Sequence, residues 1–235
     1  MDFNIQEDDK TLVIKSTNKL KVIAMGFTAR NQEQMKKNLE ALKKEGIEYP
    51  SSFPQVYPCI KNVLDSGDKI DVLSENTCGE VEYLILKIKN ELFIGVGSDH
   101  ADKKIEKKSI LYSKNICPKP FKNLFWKYSQ VRDHWDELII RSWQKDGNEF
   151  IKYQDSSVSN ILKPSHVLKS ISSHMDDNED YIVFCGSVAN ITGRYIYGEE
   201  FIYEIEDPIL KRNIKGSYKI NNICKLWINR KVLLT

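Results

Sequence analysis

A chain of 235 residues, 41% apolar and 29% charged, is long enough to bury one sizeable core and too polar overall for a fibre or a membrane bundle. Thirty-five Lys and Arg against 33 Asp and Glu leave a formal charge of +2, which gives no electrostatic ground for a nucleic acid or an anionic membrane as partner. No stretch approaches 18 uninterrupted apolar residues and residues 1–21 lack an apolar signal core, so a cytoplasmic location and no membrane partner are expected.

In chain order, two short strand-like runs at 11–14 and 20–23 precede a segment, 31–45, whose Met35, Leu39 and Leu42 share one helical stripe. Asn31 can cap this helix, Gly46 stands at its C′ position and Pro50 blocks its resumption. Residues 80–97 read as two strands around a Lys89-Asn90 turn. A second helix fits 130–143, with Ser129 as cap and Val131, Trp135, Leu138, Ile139 and Ser142 on one face. A third starts near Pro164, and strands return at 181–185 and 200–205. Strands outnumber helices without regular alternation, which predicts a β-rich α+β fold. No linker or repeat divides the chain, so a single domain over 1–235 is expected, with 1–50 as N-terminal strands, helix and candidate lid and 51–235 as the β-rich core. The five cysteines are odd in number and scattered, with no C-x-x-C pair, and read as free thiols packed as small hydrophobes.

Side chains alternate along a strand, so Glu80 and Glu82 project from the same face as Leu84, Leu86 and Ile88. Two carboxylates on a buried face are tolerable only if they share a proton, meet cations or bind a metal; alternating Glu residues also mark a solvated or ion-paired strand, and both readings stand. The next strand ends in Gly95-Val-Gly-Ser-Asp-His-Ala-Asp102, a glycine-flanked bend that hairpin pairing brings near Glu80 and that carries Asp99, His100 and Asp102. A third carboxylate there would make an oxygen-rich site suited to Mg²⁺ or Mn²⁺, while one His and no usable Cys argue against zinc. His100 is equally read as a hydrogen-bonded loop histidine and Asp102 as a turn or cap residue. Lys114 could meet a substrate anion, but from the residues alone it and the 103–108 run read most simply as a solvated surface. The acidic run 176–180 lacks calcium-loop spacing and reads as a solvated turn. Gly186-Ser187 could offer a backbone N–H and a hydroxyl to a carboxylate, and His134 and Trp135 read as capping or packing residues.

From about 23 to 222 the chain resembles a bacterial family of unknown function, through Gly26-Phe-Thr-Ala-Arg30, Gly79-Glu-Val-Glu82, Val96-Gly-Ser-Asp-His100, Lys114-Asn-Ile-Cys-Pro-Lys-Pro120, Asp133-His-Trp-Asp136, Arg141-Ser-Trp143 and Asp207-Pro-Ile-Leu-Lys-Arg212. The order of Glu-x-Glu, an Asp in a Gly-rich bend, a Lys and a strand ending in Gly-Ser also resembles the fumarylacetoacetate hydrolase superfamily. That second resemblance implies a mixed β-roll with a few peripheral helices and a homodimer, to be tested by light scattering against the chain mass of 27.3 kDa. It implies a divalent metal, Mg or Mn, on Glu80, Glu82 and Asp99, with substrate contacts from Lys114 and Gly186-Ser187. The substrate would be a small 2-oxo or 1,3-dicarbonyl acid, and the reaction a C–C hydrolysis, hydration or decarboxylation. A catalytically silent ligand-binding homologue is the rival. The superfamily's early His and Glu are missing here: residues 26–39 hold no histidine and only Glu33. His100 or Asp102 is therefore expected to carry protons beside the metal and Lys114 to neutralise charge.

Overall fold

The computed structural model describes residues 1–7, 10–17, 19–44, 50, 52–176 and 178–228. In chain order its longer strands begin with β1 (Asp2–Glu7), β2 (Lys10–Lys15), β3 (Lys21–Gly26), β4 (Gln55–Cys59), β5 (Lys69–Val72), β6 (Val81–Ile88) and β7 (Glu91–Ser98). They continue with β8 (Phe125–Lys127), β9 (Ile139–Asp146), β10 (Glu149–Ser157), β11 (Tyr181–Ser187), β12 (Glu200–Asp207) and β13 (Arg212–Asn222). An eight-stranded mixed sheet runs β2-β1-β8-β7-β6-β11-β3-β4, and a five-stranded one runs β10-β9-β12-β13-β5. The β-rich α+β architecture read from the sequence is the one observed.

The centre of the larger sheet is buried on both faces, which explains why β6 reads as an almost unbroken apolar run. Tyr83, Ile85, Ile94 and Val96 pack into the core between the two sheets with Phe201, Tyr203 and Tyr218. Leu84, Leu86, Ile88 and Phe93 turn the other way, into a second core with Phe3, Phe125 and Phe184. The β6–β7 hairpin turns where expected, because Lys89 and Asn90 both adopt left-handed φ, +50° and +70°, as a two-residue type I′ turn requires.

Four helices bear on the site or its surroundings: α1 (Gln32–Lys44), α2 (Lys103–Glu106), α3 (Ile110–Ile116) and α4 (Pro164–Ile171). The Gln34 N–H donates to the Asn31 side chain at 2.9 Å, the cap expected for α1, while Gly46 lies outside the described residues. The helix expected over 130–143 forms only in part. Tyr128–Val131 is helical and Arg132–Glu137 is a 3₁₀ turn, but β9 starts at Ile139. Val131, Trp135 and Leu138 are buried at helical spacing, whereas Ile140, Ser142 and Gln144 are buried at period two, so the helical stripe ends where the strand alternation starts.

The run 176–180 is a correction as well, since Asp180 is buried and Glu179 ion-pairs with Lys21 at 2.6 Å; Asp177 lies outside the described residues. Burial alone would raise the Asp180 carboxyl, but the amide N–H groups of Thr17 at 2.6 Å and Lys89 at 3.2 Å outweigh it and hold the group below the usual carboxylate range. Its stabilisation is therefore complete above the unfolded value near pH 4 and is lost as pH falls through the lower folded value. Asp180→Ala is expected to cost about 1–3 kcal/mol at pH 7. In urea titrations the gap between this variant and the parent should narrow from pH 6 to pH 3, and a pH-independent gap would contradict this assignment.

Candidate functional site

Strand alternation builds the site. Glu82 pairs with Gly97 across β6–β7 and with Ser187 of β11, and the Asp99 N–H donates to the Glu80 carbonyl at 2.9 Å. The bend thus lies beside the Glu pair, as hairpin pairing requires. Asp99 emerges on the Glu82 side, while Ser98 and His100 point to the core between the sheets, where both bond the Tyr218 hydroxyl at 2.9 Å.

Asp99 is fully buried and held by two ammonium groups. Its Oδ2 accepts from Lys114 and its Oδ1 stands 2.9 Å from Lys119, whose ammonium also donates to the His100 carbonyl at 2.6 Å. Burial would raise this carboxyl, but Lys114 and then Lys119 overcome it and hold it far below the ordinary range. Lys114 is raised in turn, the Asp99 and Glu82 charges outweighing its burial. Glu82 differs. Its partner is the Gly186 N–H, 2.8 Å from Oε2, and among the described residues no ion pair reaches it. Burial and the charge on Asp99 push Glu82 well above the carboxylate range, against Lys114 and that N–H. Glu80 lies nearer the surface and accepts from Lys103 at 2.8 Å, and Lys103 also pairs with Glu106 at 2.8 Å.

These groups end at a cleft of about 340 Å³ walled by Glu80, Glu82, Glu106, Lys114, Thr28, Met35 and Gly186-Ser187. At Gly186, φ is +90° and a Cβ would fall 1.7 Å from the Thr28 hydroxyl, so glycine is required both by the backbone and by the approach of Thr28. The Ser187 hydroxyl is already engaged: it donates to the Val81 carbonyl at 3.1 Å and accepts from Gln154 at 2.6 Å.

Three sequence expectations change. His100 does not reach the cleft; its ring is fully buried against Tyr218, and burial with the charges of Lys119 and Lys103 lowers its pKa to about 3, so it is a neutral core histidine. Asp102 is a helix cap, its Oδ1 accepting from the N–H groups of Lys104 at 2.9 Å and Ile105 at 3.0 Å and its Oδ2 from Ser74, and it is not among the residues that wall the cleft. Nor do Glu80, Glu82 and Asp99 form a ready cage: among the described residues no three His, Cys, Asp or Glu side chains are gathered so as to hold an ion, because both Asp99 oxygens are drawn to lysines.

Lys103, Lys119 and Glu106 escaped the sequence reading. Lys103 sits in a run that is otherwise largely exposed, yet it is 3% exposed because the 101–102 strand segment, paired with 77–78, turns it under Glu80. The signal for Lys119 is its place between two prolines, which makes it extended and pairs Lys119-Pro120 with Leu64-Asp65. The remaining motif residues hold the frame. Arg30 bonds Asp136 at 2.7 Å and the carbonyls of Ile161 and Val158, His134 bonds buried Asp207 at 3.0 Å, and Trp135 packs edge-on against Tyr83, as its packing role predicts.

In kind, the donors fit a hard divalent cation: three carboxylates, of which buried Glu82 is in no ion pair among the described residues. The sequence model of a family described as "Protein of unknown function (DUF2848)" matches residues 25–218. Comparison with curated proteins finds no match. Among solved structures, Cg1458 with an inhibitor is 17% identical, with TM-score 0.64 over 91% of this chain and 81% of that one. A 2-keto-3-deoxy-D-arabinonate dehydratase complexed with magnesium and 2,5-dioxopentanoate is 17% identical, with TM-score 0.59 over 92% and 77%. The fumarylacetoacetate hydrolase from psychrophilic Exiguobacterium antarcticum is 10% identical, with TM-score 0.58 over 92% and 82%. The chain belongs to the DUF2848 family and has the fold of the fumarylacetoacetate hydrolase superfamily.

Proposed function

We propose that this protein is a divalent-metal-dependent hydrolase or lyase that acts on a small 2-oxo or 1,3-dicarbonyl acid through an enolate, with C–C bond hydrolysis placed first and hydration or decarboxylation reached through the same enolate. The observation that carries the reading is Glu82, a buried carboxyl that no ion pair reaches among the described residues, at a cleft that also presents the Lys114 ammonium. Glu80, Glu82 and Asp99 would hold Mg²⁺ or Mn²⁺, and the bound ion would act as a Lewis acid on a substrate carbonyl. Glu80, Glu82, Asp99 and Glu106 face Lys103, Lys114 and Lys119 here, with burial and Asp99 favouring the protonated form of Glu82; a divalent cation would favour loss of that proton, turn the local balance positive and make the cleft attractive to a carboxylate.

The lysines divide the work. Lys119 stays on Asp99 and keeps it ionised, which lets the Lys114 ammonium leave Oδ2 and meet the carboxylate or oxyanion of the substrate. Lys103 holds Glu80 at the cleft, and the Gly186 N–H fixes the Glu82 carboxyl. With His100 and Asp102 placed elsewhere, proton transfer falls to Glu106 Oε1, the remaining carboxylate on the cleft wall. In the region without the lid histidine, Gln32 bonds the Phe27 carbonyl at 3.2 Å and that of Ala29, which ties down the turn.

A panel of acylpyruvates, oxaloacetate and 2-oxo-pent-4-enoate analogues with Mg²⁺ or Mn²⁺ tests the reading. Conversion of at least one, abolished by EDTA and restored by the metal, is expected. Glu106→Gln should lower that turnover about 10²-fold with little change in metal affinity. Binding across the panel with no conversion would replace this reading with that of a silent ligand-binding homologue.

A further inference from the structure

The cleft does not end at Ser187. A second hollow of about 700 Å³ shares the wall formed by Ala29, Met35 and residues 187–189 and extends it along β10 and the turn after it. Its chemistry differs from that of the cleft. Among the described residues only two charged side chains line it, and each is ion-paired within the fold: Arg30 with Asp136 at 2.7 Å, a carboxylate that Lys163 shares at 3.0 Å, and Asp155 with Arg141 at 3.1 Å and Lys152 at 2.8 Å. What it offers a ligand is neutral. Asn160 spends its amide N–H on the Ser156 hydroxyl at 2.8 Å, which leaves its carbonyl oxygen open, and the Ser159 hydroxyl is likewise uncommitted among the described residues. Asn160 is exposed, so its carbonyl oxygen is in reach of a ligand.

Resting on the 2-oxo acid reading, we infer that the substrate carries a neutral, hydroxylated tail that runs from the charged cleft into this hollow. A tail ending in a second carboxylate would meet there, among the described residues, no cation without a carboxylate partner, and an alkyl tail would strip water from Asn160 and Ser159 without replacing its hydrogen bonds. A hydroxylated chain supplies both donors and acceptors. The charged cleft selects the acid head, and the neutral hollow selects the tail.

Calorimetric titration in Mg²⁺ of four probes separates these cases: pyruvate, which is head alone, and three six-carbon 2-oxo acids that differ only in the tail, namely 2-oxohexanoate, 2-oxoadipate and 2-oxo-3-deoxy-D-gluconate. The hydroxylated acid should bind about tenfold or more tightly than the other two six-carbon acids, the gain expected of two neutral hydrogen bonds. Asn160→Leu combined with Ser159→Ala should erase that preference. Pyruvate binding with no preference among the tails, or tightest binding of 2-oxoadipate or 2-oxohexanoate, would overturn the tail inference alone. A preference that survives the double variant would overturn the assignment of the hollow. No binding of any probe, pyruvate included, would remove the 2-oxo acid reading and the inference with it.

Discussion

Replacing Asp99 by asparagine is expected to destabilise the fold by about 3–5 kcal/mol, the cost of removing one partner from a buried ion pair. Here a single carboxylate serves two buried ammonium groups, Lys114 at 5% exposure on the cleft wall and Lys119 at 0%. Asparagine keeps the shape and an oxygen acceptor but leaves two buried positive charges uncompensated. The double variant Asp99→Asn with Lys119→Met should recover more than half of the loss, because it removes the ammonium whose remaining partner, the His100 carbonyl, carries no charge. Lys114 can still turn toward Glu82 and the cleft. Urea denaturation of the parent, both single variants and the double completes the cycle. An Asp99→Asn loss below about 1 kcal/mol would mean that the lysines find water or other partners, and would undo the electrostatic account of the site.

Gly186→Ala is expected to cost about 2–5 kcal/mol and to disturb the cleft as well, since two independent penalties fall on one methyl group. The backbone at φ +90° lies where L side chains are rare, and the new Cβ would sit 1.7 Å from Thr28 Oγ1 and 2.8 Å from Thr28 Cβ. Relief requires a shift of the backbone whose N–H holds Glu82. Thr28→Ala in the same chain removes the nearest contact but not the backbone strain, so it should rescue the variant only in part. Full rescue by Thr28→Ala would show that the φ penalty is negligible, and no rescue would show that the clash is not with Thr28.

Much of this was legible in the sequence, and alternation explains both the successes and the failures. The period-two pattern placed Glu80 and Glu82 on one face with Leu84 and Leu86, and the Lys89-Asn90 turn fixed the hairpin that brings Asp99 to Glu80. The same alternation, carried two residues further, sends His100 away from Asp99 and into the core, which is why a histidine adjacent in sequence is not adjacent in chemistry. Asp102 reads from the sequence as proton carrier or cap, and the helix that starts behind it takes Oδ1 while the Ser74 hydroxyl takes Oδ2. Lys103 and Lys119 were not legible because their burial depends on two short strand pairings, 101–102 with 77–78 and 119–120 with 64–65, that no local pattern announces. At 130–143 a helical stripe and a strand alternation share one segment, and only the tertiary partner of β9, which is β12, settles where one ends.

On the proposed function, the cleft would take a 2-oxo acid through a divalent cation held by the Glu80, Glu82 and Asp99 carboxylates. Oxalate, a planar dianion that mimics the enolate of a 2-oxo acid, tests it most directly by isothermal titration into the parent chain and into Glu82→Gln, each with Mg²⁺ and each with EDTA. The account predicts binding to the parent with Mg²⁺, none with EDTA, and a loss of about 10²-fold or more in Glu82→Gln. Oxalate binding of equal strength in EDTA, or binding in Glu82→Gln unchanged from the parent, would contradict it.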